Sequence, residues 1–184
     1  GFLPLQNKGH TTCYSVAVNL SVQALEGEGF VELVAAALNI WGVAPENLTL
    51  EVTEGVFVND TSRAVRCLHE LKALGVCISI DDFGTGYSCL SYFKNIPAGE
   101  LKIDKSFVEH LTENGDDRYL AQLIIDLGHR FNMTVVAEGI EDLATFTLLQ
   151  NMGCDYAQGF YRAKPMPQDE LLAWLEKYKE GGEV

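Results

Sequence analysis

The sequence predicts a parallel α/β barrel of the TIM-type (β/α)8 class, with six β/α units present and the first two strands missing. Three observations carry this reading. Six short apolar runs alternate with six amphipathic stretches, and strand–helix–strand succession requires parallel strands joined by helical crossovers. No Gly-x-Gly-x-x-Gly opens a helix after a strand, which weakens the rival, an open doubly wound sheet built for dinucleotides. Finally, eight units need roughly 250 residues, whereas this chain has 184 and starts almost directly on a strand. The expectation is one domain, 1–184, N-terminally incomplete.

The strands are expected at 14–21 (YSVAVNLS), 48–54 (LTLEVTE), 77–83 (CISIDDF), 100–107 (ELKIDKSF), 133–141 (MTVVAEGIE) and 155–160 (DYAQGF). Helices are expected at 23–41, 61–74, 87–95, 117–131, 142–151 and 168–179. In the second of these, Val65, Leu68, Leu71 and Leu74 fall on one face at helical spacing. Gly42, Gly75 and Gly153 stand where helices should stop, and Pro45, Pro97, Pro165 and Pro167 lie in connections.

Composition narrows the function classes. The net charge of −13, from 26 acidic and 13 basic residues, argues against a duplex-DNA binder, which displays a basic face. It leaves room for a phosphate ligand, because bound divalent cations reverse the local field. No apolar run is long enough for a membrane helix, and the N-terminus lacks the plan of a signal peptide. The five cysteines are odd in number, scattered and without C-x-x-C spacing, which reads as reduced thiols in a cytoplasmic protein.

The polar residues at the strand ends carry the chemistry. Asn19, Glu51, Asp81, Asp82, Lys102, Asp104, Glu138 and Gln158 all lie at or near the C-terminal ends of their strands, the ligand-binding face of parallel α/β folds. Each alone has a plain explanation as a cap or turn residue, but every unit contributes one. Carboxylate and amide oxygens favour Mg²⁺, Mn²⁺ or Ca²⁺ over zinc, and the four histidines fall away from these ends. No Gly-x-Ser-x-Gly elbow offers a serine nucleophile. Adjacent acids at one mouth suit two-metal phosphoester hydrolysis, with Lys102 orienting the water or facing developing phosphate charge.

The series NLS (19–21), EVTE (51–54), DDFGTGYSCL (81–90), LKIDKSFV (101–108), VAEGIE (136–141) and QGFYRAKPMP (158–167) closely resembles the EAL domain, along essentially the whole chain. That family comprises bacterial phosphodiesterases that linearise cyclic di-GMP to pGpG with Mg²⁺ or Mn²⁺ in a (β/α)8 barrel. The resemblance implies that Asn19, Glu51 and Asp81 bind a first metal and Asp82 a second. It implies that Lys102 contacts the catalytic water, that Glu138 supports water or metal, and that Gln158 lies near the cluster. Glu54 resembles the residue anchoring the DDFGTG loop, which the family associates with dimerisation and activity. Asp104 and Glu141 match motif positions without an assigned role, and Cys89 replaces a more usual serine.

One departure matters more: the E-A-L triplet, whose glutamate is a metal ligand, is absent, as are the two upstream strands the family would supply. An open barrel edge and a weakened metal site are therefore expected. Three readings follow: part of a working phosphodiesterase, a module that binds the dinucleotide or a partner without hydrolysis, or a remnant that associates through its open face. Self-association, as a homodimer or larger assembly through that edge or the DDFGTG loop region, is expected in each.

Overall fold

The computed structural model describes residues 3–4, 15–58, 62–85 and 95–179. Among the described residues seven strands form one sheet: β1 (Leu3–Pro4), β2 (Val16–Asn19), β3 (Leu48–Thr53), β4 (Cys77–Phe83), β5 (Glu100–Ile103), β6 (Thr134–Ala137) and β7 (Tyr156–Ala157). Their spatial order is β1-β7-β6-β5-β4-β3-β2. Strands β2 to β7 run parallel in chain order and curl into a partial TIM-type barrel. Strand β1 closes against β7 antiparallel. Unbroken sequence order is what right-handed βαβ crossovers produce when each helix returns the chain beside the strand it left.

Strand alternation divides the side chains into two sets. Leu50, Val52, Ile78, Ile80, Leu101, Ile103 and Val135 are buried in the core, which continues through Leu68, Leu71 and Ile125 of the covering helices. The intervening positions carry the polar residues. Register aligns Asn19 with Glu51, Glu51 with Ser79, Ser79 with Glu100, and Glu100 with Thr134. A polar row thus crosses five strands at one level.

The helices are α1 (Val22–Glu26), α2 (Phe30–Trp41), α3 (Gly55–Val58), α4 (Ser62–Ala73), α5 (Gly115–Arg130), α6 (Leu143–Asn151) and α7 (Gln168–Lys179). The single helix expected over 23–41 is two, because Gly27 and Gly29 interrupt it. Strands are shorter than the apolar runs implied. The run 100–107 stops at Ile103, where Asp104 caps a 3-10 turn over Lys105–Phe107. The run 155–160 forms ladder only at Tyr156–Ala157.

The buried face of α4 is Ala64, Cys67, Leu68 and Leu71. Leu74 lies in the turn after the helix and is 37% exposed, so the expected stripe loses its last member. The helix expected at 87–95 falls, but for its last residue, outside the described residues, as do Cys13 and Cys89. Cys67, Cys77 and Cys154 are free thiols. Burial pushes all three upward, Cys154 to about 12. No described helix is long and apolar enough to cross a membrane.

Candidate active site

Lys102 organises the mouth of the sheet. Strand β5 carries it between the core residues Leu101 and Ile103, so its side chain points opposite to theirs, and the residue is 4% exposed. A buried ammonium is costly unless it is paired. Here Nζ meets three carboxylates: Glu51 Oε1 at 2.8 Å, Asp81 Oδ1 at 2.9 Å and Glu138 Oε1 at 2.6 Å. These come from β3, β4 and the residue following β6. Burial alone would lower the lysine pKa, but hydrogen bonding to Glu138, Glu51 and Asp81 outweighs it and holds the group above its usual value. Lys102 is therefore a fixed positive charge.

The acids around it are not equivalent. Burial raises the pKa of Glu138, only partly opposed by Lys102, and the charges of Asp81 and Glu51 push the same way. Burial also raises Asp82, reinforced by the neighbouring charges of Asp81 and Asp104. Asp104 goes the other way. Burial works against its charge, yet it accepts from the Ser106 N–H at 3.0 Å and from the Ser106 hydroxyl at 2.5 Å, and it ends below its usual value. Asp82 and Asp104 are thus shifted in opposite directions, the first upward and the second downward.

Asp82 is presented by a tight turn. Its backbone is left-handed (φ 52°), a conformation costing an ordinary residue about 1 kcal/mol or more. Three contacts hold it there. The Thr85 hydroxyl donates to the Asp82 carbonyl at 2.9 Å. The Gly84 N–H donates to Glu54 Oε1 at 2.6 Å. Gly84 itself (φ +99°) lies against the Phe107 ring, and a Cβ there would stand 2.7 Å from Phe107 Cε2. Glu54 therefore touches the DDFGTG segment at its first glycine.

Of the residues singled out by sequence, Asp81, Asp82 and Glu138 bring carboxylate oxygens within 4.8 Å of one another. Glu51 joins them through Lys102. Asn19 sits level with Glu51 on β2 and is exposed. Gln158 follows β7; its N–H donates to the Ala137 carbonyl at 2.8 Å, and its carbonyl accepts from the Ile140 N–H, which fixes it beside the strand leading to Glu138. The oxygen-only donor set fits a hard divalent cation and not zinc.

Sequence reasoning passed over Glu100 and Phe107. Glu100 lies two residues before Lys102 on the same strand face, and that spacing was the available signal. Phe107 stands within LKIDKSFV, but its packing against Gly84 is not marked locally, since that partner lies far away in the chain.

A sequence profile of the EAL domain matches residues 4–165. The chain belongs to the EAL domain family. This EAL domain is 44% identical over 165 residues to the bifunctional diguanylate cyclase/cyclic di-GMP phosphodiesterase MucR of Pseudomonas aeruginosa, covering 90% of this chain and 24% of that protein. It thus spans about a quarter of the length of that relative. Among solved structures it resembles the PaMucR phosphodiesterase in its c-di-GMP complex, with a TM-score of 0.80 and 43% identity over 85% of this chain and 64% of the other. It also resembles the Klebsiella pneumoniae BlrP1 manganese/cy-diGMP complex, with a TM-score of 0.75 and 29% identity over 81% and 38%.

Proposed function

We propose that this EAL domain binds cyclic di-GMP and hydrolyses one of its phosphodiester bonds to give pGpG, using Mg²⁺ or Mn²⁺, with two ions in the active state. The observation that carries the reading is the cluster of Asp81, Asp82 and Glu138 gathered beside a buried, charged Lys102. In this reading Asp81 and Asp82 hold metal, Glu51 and Asn19 complete the first ion's ligands, and Glu138 serves metal or water. Bound divalent ions would bind phosphate oxygens and lower the pKa of a water.

The chain's own groups do the rest. Lys102 is buried and keeps its charge, so it can hold the attacking water and face charge developing on the phosphoryl oxygens. Glu138 has an elevated proton affinity and suits transient acceptance of a proton from that water. A water oxygen–phosphorus bond forms, one P–O ester bond breaks, and the departing ribose oxygen takes up a proton. Glu54 acts at one remove, by fixing the turn that presents Asp82. Free thiols at Cys67, Cys77 and Cys154 support a reducing, cytoplasmic setting.

A second reading is a module that binds the dinucleotide without turnover. The test is incubation of the chain with cyclic di-GMP and Mg²⁺ or Mn²⁺, with chromatography of pGpG. Turnover that falls about a hundredfold or more in Glu51→Ala supports hydrolysis. Metal-dependent binding by calorimetry with no pGpG overturns it in favour of the binding module.

A further inference from the structure

We infer that Lys102 and the divalent cation compete for the same carboxylates, so that the lysine limits metal affinity while serving the reaction. The inference rests on the metal-dependent reading above. Two of the three acids whose oxygens lie within 4.8 Å of one another, Asp81 and Glu138, are already in contact with Lys102 Nζ at 2.9 and 2.6 Å. The third, Asp82, is not among the contacts of Nζ.

Charge and geometry act in the same direction. Glu51, Asp81 and Glu138 together carry three negative charges when ionised, and Lys102 cancels one of them at contact distance. A divalent ion seated among Asp81, Asp82 and Glu138 would lie a few ångströms from the ammonium of the buried Lys102, where like charges repel. Entry of the ion would therefore require Lys102 to loosen its hold on Asp81 and Glu138, the two acids it shares with that cluster. Such a coupling is reciprocal: whatever the lysine takes from metal binding, metal takes from the lysine's ion pairs. A carboxylate cluster stripped of Lys102, its only contacting cation among the described residues, would also be unstable until metal replaced it.

The two roles separate on substitution. Lys102→Met removes the charge and keeps the bulk of the side chain. In calorimetric titration with Mn²⁺, its apparent metal affinity should rise about tenfold or more relative to wild type. Its melting temperature should fall below wild type in chelator and recover by a larger increment than wild type when Mn²⁺ is added. Its cyclic di-GMP turnover should fall, so that tighter metal binding accompanies slower hydrolysis. Lys102→Gln, which can still donate to one carboxylate, serves the same test if the methionine variant does not fold.

Metal affinity that is equal or weaker in both substituted proteins, with wild type binding Mn²⁺ normally, overturns the competition and leaves the functional reading intact. Failure of wild type itself to bind Mn²⁺ overturns both.

Discussion

At the scale of single residues, the barrel interior holds one acid that the proposed chemistry does not use. Glu100 lies one turn of the pleat below Lys102, level with Ser79. Burial raises its pKa, and the Ser79 hydroxyl and Lys102 offset this only in part. Among the described residues its Oε1 has no hydrogen-bond partner. An acid whose pKa is higher folded than unfolded binds more protons in the native state. Its stabilising protonation is complete below the unfolded value, near 4.5, and is lost as pH rises through the folded value. Glu100→Gln should therefore stabilise the chain at neutral pH by about 1 kcal/mol, with little gain at pH 4. Urea midpoints at the two pH values measure this, and a neutral-pH loss of stability would refute it. Lys102 shows what sequence could and could not disclose about such residues. Its type and strand-end position marked it as the one cation among acids. Its three-way pairing depends on the register of β3, β4 and β6, which no local pattern encodes.

At the scale of elements, the loops leaving consecutive strands are fastened to one another by close contacts, and each fastened loop sits beside a site residue. Glu54, after β3, accepts from Gly84 after β4; Gly84 lies against Phe107 after β5; Lys105 of the same turn lies against Gly139 after β6. Gly159, after β7, is so close to the Ile140 backbone that a Cβ would overlap it. The strand order and most helices were legible because period-two and period-3.6 apolar patterns survive in single sequences. The strand ends were not. At Asp104 and Gln158 the chain stays apolar on one side while the ladder stops, since loop-to-loop packing replaces strand pairing. These contacts make Gly84→Ala informative. Alanine would carry the strain of a positive φ and meet the Phe107 ring, so a loss of about 1–3 kcal/mol is expected. Metal affinity should fall with it, because the same turn presents Asp82. Urea denaturation and Mn²⁺ calorimetry read the two effects, and unchanged values for both would show that this contact does not set the turn.

At the scale of the whole molecule, the sheet has two outer strands, β1 and β2. Strand β2 pairs with β3 along one side, and all four of its residues are exposed, Val16 by 62% and Val18 by 44%. Beside it in sequence, α2 presents Leu33, Ile40 and Trp41 to solvent, the last two by 76% and 79%. Natural sheets cover or charge such an edge, because its free backbone groups and apolar side chains template pairing with another chain. The net charge of −13 opposes association over long range, but screening at physiological salt confines that repulsion to roughly 8 Å. We propose that short-range burial of the β2 edge wins and that the chain self-associates as a dimer or larger assembly through it. Sedimentation at micromolar concentration should give a mass of at least two chains. Replacing Val16 and Val18 together by lysine should shift the distribution to monomer, since lysines on an edge strand block strand addition, while helix content stays unchanged by circular dichroism. A wild-type monomer at that concentration would refute the association. An assembly that persists in the double-lysine protein would place the contact elsewhere, with the exposed face of α2 the next surface to charge.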